Sequence, residues 1–430
     1  AAMQYPEGLA DYQQVLRHAA DDPDIQVEYW NAAFASKDFL TALIGVFSYA
    51  WRESTFESIA RELAMFMVLG SQWSEARVEA LLARIGQIPD EHGAFFRMSA
   101  AVHLINLGLN AEGLRVLSSD DGAPLPELAY FALLAKGDWL NGWPLYQTRE
   151  QGNALVKEAL ARGIPEWKGE SLSGKTLLIQ EEQGLGDMLM ALRYLPSLAS
   201  QGARLMLHVR PDVLSLLGGE GEHEAAGELV NTDEVDCQVR LMDLPILVGK
   251  GSPYFTDQVP YLCADNALLE QWAGRMPAAQ VRIGLVWAGN PDHGNDIWRS
   301  TELADWLPCF SLPGVDWVLL QKGRPAAEVV WVNGHQNVHD LGPMIRTLAD
   351  TAAILSHLDL LVSVDTSPAH LAGGMGLPVW VLLNACGQDW RWGEREERTA
   401  WYPSMTLLRM AHRQSAASYI SQILRPRLID

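Results

Sequence analysis

The chain has 430 residues, 48% hydrophobic and 20% charged, the balance of an ordinary globular protein of two or three domains. Its formal net charge of −21 argues against non-specific nucleic-acid binding, which needs clustered Lys and Arg. No apolar run reaches the roughly 18 residues of a membrane span, and no secretory apolar segment opens the sequence, so a cytoplasmic protein without stable membrane insertion is expected.

Residues 1–165 read as helix throughout, with apolar residues at three- and four-residue spacing, as in Ile59-Leu63-Phe66-Met67. Short turns at Ser36-Lys37-Asp38-Phe39, Gly70-Ser71-Gln72-Trp73, Gly108-Leu109-Asn110 and Gly137-Asp138-Trp139 recur at a spacing near the period of about 34 residues of tetratricopeptide (TPR) repeats. Glycine opens the last three turns, where a left-handed residue ends a helix. Gly113 and Ala76 are small enough to let a second helix pack closely. An irregular helical bundle fits the same residues, so an all-α, TPR-like domain is the expectation here.

The pattern changes near Pro165. Thr176-Leu177-Leu178-Ile179 is a short apolar strand, Met188 to Ser200 a helix, and Leu205 to Val209 the next strand, which makes a βαβ unit. A second set of strands covers Ile283 to Trp287, Val315 to Leu320, Leu360 to Val364 and Val379 to Leu383, with helices at Asp350 to Leu358 and Pro368 to Met375. Continuous apolar runs are the mark of buried parallel strands. Two α/β lobes facing a cleft follow, over residues 166–280 and 281–412, with a C-terminal helix over 413–430.

Four segments are suited to chemistry. Glu181-Glu182-Gln183-Gly184-Leu185-Gly186-Asp187 follows a strand and opens a helix. Gly184 and Gly186 permit close backbone approach to a ligand, and the Asp187 carboxylate is a candidate general base or a plain helix cap. In Asp365-Thr366-Ser367-Pro368-Ala369-His370 a strand ends and a helix starts, with amides, hydroxyls and a histidine placed for an anion or for simple capping. Asn290 and Arg299 lie in the loop after the first strand of the second lobe, and Gln321 and Lys322 follow the next strand. Either cation suits a phosphate, Arg299 as a planar fork and Lys322 as a point charge. Asp389-Trp390-Arg391-Trp392 suits stacking on a base or sugar, or core packing. The four cysteines, Cys237, Cys263, Cys309 and Cys386, have no zinc-like spacing and read as reduced, mostly buried thiols. There is no P-loop, metalloprotease helix or nucleophile elbow, and the third glycine of a dinucleotide fingerprint is missing.

In order along the chain, Gly174-Lys175-Thr176-Leu177-Leu178, Glu182 to Asp187, Arg193-Tyr194-Leu195-Pro196, Gly284 to Pro291, Leu320 to Gly323, Asp350-Thr351-Ala352-Ala353, Val364 to Gly374, Pro378 to Leu383 and Trp401-Tyr402-Pro403-Ser404-Met405 resemble bacterial TPR glycosyltransferases. Their catalytic part is similar to the heptosyltransferases, glycosyltransferase family 9. The resemblance spans roughly residues 137–410. It implies a GT-B fold of two Rossmann-like lobes, inverting transfer from a nucleotide-sugar donor, and no required cofactor or metal. It implies Asp187 as the base, Asp365, Thr366 and Ser367 as holders of the donor diphosphate, and Arg299 or Lys322 as its counter-charge.

The function expected is sugar transfer to a hydroxyl, on a protein or peptide held by the helical domain, as in O-glycosylation of flagellin or another surface protein. The alternatives are a heptosyltransferase-like enzyme of lipopolysaccharide assembly and a non-catalytic TPR scaffold that binds a nucleotide sugar.

Overall fold

The structure of the protein is a computed structural model that describes residues 79–80, 82–83, 97, 101–102, 104–118, 129–149, 153–217, 223–225, 234–249, 259–291, 293, 296–323, 328, 332, 334–384, 387–411 and 415–428. The chain forms two compact units, one of Ala1–Pro126, Ala385–Gly387 and Ala411–Arg413, the other of Glu127–Asn384, Gln388–Met410 and Gln414–Asp430. In the first, a helical segment ends at Gly108, whose φ of +77° is the left-handed conformation expected there. Helix α1 (Asn110–Leu117) then begins, and a Cβ on its Gly113 would lie 2.6 Å from the Ile105 side chain, so the close packing needs glycine. The turns at 36–39 and 70–73 lie outside the described residues.

The second unit opens with helices α2 (Ala129–Ala135), α3 (Trp139–Gln147) and α4 (Asn153–Ala161). Gly137, at φ +76°, turns α2 back onto α3, and Asp138 caps α3 by accepting the Asn141 amide at 3.3 Å. Gly142 lets the two helices close, since a Cβ there would meet Leu134 at 2.7 Å.

Two parallel sheets follow. The first has β1 (Thr176–Gln180), β2 (Arg204–His208), β3 (His223–Ala225) and β4 (Cys237–Arg240) in the order β3-β2-β1-β4. The second has β5 (Val281–Val286), β6 (Val315–Leu319), β7 (Val338–Asp340), β8 (Leu360–Val364), β9 (Val379–Leu383) and β10 (Met405–Arg409) in the order β10-β9-β8-β5-β6-β7. Every pairing is parallel. Both orders reverse direction once, between β1 and β4 and between β5 and β8, and ligands of open parallel sheets bind beyond the strand ends at such switch points. These are the two Rossmann-like lobes of the GT-B plan. The strands β3, β4, β7 and β10 add to those expected.

One face of the second sheet, with helix α7 (Leu348–Leu355) and helix α8 (Ser367–Gly374), shares a continuous apolar core with the first lobe and with Leu134, Trp143 and Tyr146 of the α2–α3 hairpin. The other face has its own core, closed by Tyr419 and Ile420 of the C-terminal helical segment. Helix α6 (Asn266–Ala273), in the connection between the lobes, is pinned to α7 because the Trp272 indole donates to Asp350 at 2.9 Å. Cys237 and Cys309 are buried and Cys263 is exposed.

The hairpin is also joined to the first lobe by buried charge. Arg149 is 2% exposed and forms a fork with both oxygens of Glu182. It donates to Asp243 at 2.9 Å, and Asp243 in turn accepts from Arg240 at 2.8 Å. Arg240 returns to the carbonyls of Arg149 and Gln147 at 3.1 and 2.9 Å. Two cations and two anions balance. Arg149→Met should therefore cost about 3–5 kcal/mol in urea unfolding of the full chain, because Glu182 is left buried without its partner. Adding Glu182→Gln should recover part of that loss, and strictly additive costs would show that the pair is not coupled.

Candidate active site

The site is assembled from the loops at the two switch points. After β1, Gln183 takes φ +60°, a left-handed conformation that costs a non-glycine residue energy. It is held there by Tyr146, whose hydroxyl donates to its side chain at 2.8 Å, and by Arg210, which donates to its carbonyl at 3.0 Å. The turn sets Gly184 in extended conformation as the cap of helix α5 (Leu185–Ala191), ahead of α6 in the chain. Asp187 is the third residue of α5, and its Oδ2 accepts the Gly184 amide at 2.8 Å. This is helix capping, yet the side chain keeps 19% exposure, so solvent or a ligand reaches it.

The Asp187 Oδ1 receives a hydrogen bond from Arg391 Nη2 of the other lobe. Arg391 is 5% exposed. Its Nη1 donates to both oxygens of Asp389 at 2.8 and 2.9 Å, its Nε contacts Met190 Sδ at 3.1 Å, and its guanidinium lies 4.1 Å above the Trp390 ring. In the sequence this residue reads only as part of an aromatic stacking motif. Its place between Trp390 and Trp392, after Asp389, was the available signal.

In the second lobe, Thr366 is the extended residue before α8. Its hydroxyl does not cap the helix; it bonds Ser363 at 2.9 Å and the Val364 carbonyl at 3.3 Å. Ser367 begins α8, half-buried. His370 is buried one turn later, its Nδ1 2.8 Å from the Tyr402 hydroxyl and its Nε2 3.7 Å from Asp365. The lobes touch here: a Cβ on Gly186 would lie 2.6 Å from the His370 ring. Gly186 is therefore needed for helix starts from two sheets to meet. Tyr402, which orients His370, was visible in the sequence only as part of the Trp401-Tyr402-Pro403 string.

Arg299 reaches the β5–β8 switch point. Its guanidinium lies 2.5 Å from where a Cβ of Gly289 would be, donates to the Asp365 carbonyl at 3.2 Å and pairs with Asp296 at 3.3 Å. Asn290 is exposed on the same loop, whose Gly289 amide donates to Ser300 at 2.8 Å. The other candidates stand apart. Gln321 spends its amide on the backbone of Ala288, accepting and donating at 3.0 Å. Lys322 is exposed and donates to the Arg346 carbonyl at 3.4 Å. Burial alone would raise the Asp365 carboxyl, but His370 and the Arg299 charge outweigh it and hold the group below its ordinary range. A cavity of about 1130 Å³ lies between Leu195, Leu216, Arg275 and Met344, and none of the candidate residues lines it.

The site thus joins the helix starts of two parallel α/β lobes: Asp187 accepts from Arg391, Gly186 lies against His370, and Arg299 reaches the Asp365 carbonyl. No family model matches the chain. It is 27% identical over 301 residues to the protein FlbA of Caulobacter vibrioides, covering 64% of this chain and 50% of that protein. The chain therefore spans about half the length of the curated relative it matches. Similar solved structures include a family 9 glycosyltransferase from Veillonella parvula, 12% identical over 61% of this chain and 97% of that one, with a TM-score of 0.41. The ADP-heptose lipopolysaccharide heptosyltransferase II of Escherichia coli is 12% identical over 59% and 97%, with a TM-score of 0.44. The iron-containing dodecameric glycosyltransferase TibC of enterotoxigenic E. coli is 12% identical over 60% and 76%, at 0.36.

Gly186→Ala should lower unfolding free energy by about 1–3 kcal/mol in urea titration, because the His370 ring has no room to retreat. The Asp365 carboxyl has a depressed folded pKa, so its contribution to stability is complete above about pH 4 and fades as pH falls through the folded value. Asp365→Asn should flatten the acid limb of a melting-temperature profile, and an unchanged limb would reject that role.

Proposed function

We propose that the chain is a glycosyltransferase that moves a sugar from a nucleotide-sugar donor to an acceptor hydroxyl with inversion. The observation that carries this reading is the meeting of the two helix starts at the switch points of two parallel sheets, where Gly186, next to Asp187, lies against the His370 ring and Arg299 reaches Asp365. In the proposed step the acceptor hydroxyl gives its proton to Asp187 while its oxygen attacks the anomeric carbon. The bond from that carbon to the diphosphate breaks, and the diphosphate leaves with the electron pair. Arg299 and the start of α8, with Thr366, Ser367 and His370, meet the charge that develops on it. Arg299 fits this role better than Lys322, since its fork already lies against Asp365 at the switch point. The reading gives the metal no part, so turnover should survive EDTA. The acceptor is proposed to be a protein or peptide, held by the helical region over residues 1–165 as repeat domains hold extended ligands.

One observation favours a scaffold that binds donor without turning it over. Both oxygens of Asp187 already accept hydrogen bonds, from Gly184 and from Arg391. A thermal-shift series with ADP, UDP, GDP and CMP and their sugar conjugates tests both readings. One nucleotide class should stabilise the protein, by about 2.7 kcal/mol at about 100 times its dissociation constant. Asp187→Asn should keep that shift and lose turnover by about 100-fold or more. Full turnover by the variant would remove Asp187 as base, and binding without turnover by the unaltered chain would establish the scaffold.

A further inference from the structure

We infer that Arg391 is a positioning residue for the proposed transfer: it is seated by Asp389 and Trp390 on the second lobe and holds the Asp187 carboxylate of the first lobe in the orientation in which it takes the acceptor proton. The inference rests on the reading of Asp187 as base and adds to it a device that spans the lobes.

The guanidinium is directional. Its Nη1 is taken up by both oxygens of Asp389, its Nε by Met190 Sδ, and its face by the Trp390 ring. What remains is Nη2, and it meets Asp187 Oδ1. Asp187 is therefore held from two sides, by the amide of its own loop on Oδ2 and by the opposite lobe on Oδ1. An ionised carboxylate offers about four lone-pair sites, so acceptor capacity remains for a substrate hydroxyl. A single cation shared by two carboxylates also leaves negative charge at the site, which a base requires. Lysine has the charge but not the rigid fork that serves two carboxylates in one plane.

The seat extends into the helical hairpin. The Trp390 ring packs edge-on against Trp143 at 5.3 Å and Trp401 at 5.6 Å, with Tyr146 at 6.2 Å. Tyr146 also holds Gln183, two residues before α5 begins and four before Asp187. The α2–α3 hairpin thus braces both arms of the Asp187–Arg391 pair, which gives it a role in the chemistry besides any acceptor binding.

The test uses the full chain with the ADP-, UDP-, GDP- and CMP-sugar panel, reading kcat, KM for donor and the nucleotide thermal shift. Asp389→Asn and Arg391→Lys should each lower kcat by about 10- to 100-fold, with donor KM and thermal shift unchanged. The double variant should be no worse than the poorer single one, because both changes act through one guanidinium. If Arg391→Lys does not fold, Asp389→Asn alone decides, since it preserves volume at a partly exposed side chain. A kcat for Asp389→Asn within about twofold of the unaltered protein, or losses that multiply in the double variant, overturns the positioning role. If Asp187→Asn is inactive in the same series, the base reading survives that failure. Turnover retained by Asp187→Asn, or none by the unaltered protein across the panel, overturns both.

Discussion

A buried arginine needs carboxylates, and the site depends on where Arg391 finds them. One, Asp389, is two residues away in its own loop, and the other, Asp187, comes from the opposite lobe. Removing either would leave charge uncompensated in a nearly closed setting, which is costly. The pair therefore sets how the two helix starts face each other, and with them the distance between Asp187 and the α8 end where Asp365 and His370 lie. Arg193 supplies a parallel tie: it is fully buried, donates to the Trp401 carbonyl at 2.9 Å, and lies over the rings of Tyr261, Trp401 and Tyr402.

The same economy of buried charge joins the helical hairpin to the first lobe. The Arg149–Glu182–Asp243–Arg240 network sits beneath the loop that carries Asp187, and the Trp139, Trp143, Trp390 and Trp401 cluster lies beneath the loop that carries Arg391. Each edge-on aromatic pair adds about 0.5–1.5 kcal/mol beyond its burial. Many of the chain's 16 tryptophans are thus used on structure rather than on ligand stacking. A lobe pair without residues 129–149 would lose the supports of both site loops at once.

Much of the two-lobe plan was legible because its signals are local. Thr176 to Ile179, Leu360 to Val364 and Val379 to Leu383 are unbroken apolar runs, and buried parallel strands demand that. Glycine at 108 and 137 marks helix ends because few other residues accept a positive φ. The strand at Cys237–Arg240 was hidden by Gln238 and Arg240, polar residues that look exposed. Both are buried because partners distant in sequence meet them, Gln180 and the Val156 and Ile164 carbonyls for Gln238 and the Arg149 and Gln147 carbonyls for Arg240.

Within the site, local sequence was enough to place Asp187 and Thr366 at strand-to-helix junctions, since Gly-rich and Pro-led helix starts announce themselves. It left Arg299 and Lys322 equivalent, and it counted Arg391 among packing residues. Those matters turn on sheet order: β5 lies beside β8, which brings Arg299 against Asp365, whereas Lys322 follows β6 one strand further out. The amino-acid order by itself determined six of the ten strands among the described residues, the helix starts at the two site loops and the acidic character of the chain. Only the tertiary structure decided which charges meet, because an ion pair between residues 187 and 391 has no signature in either local segment.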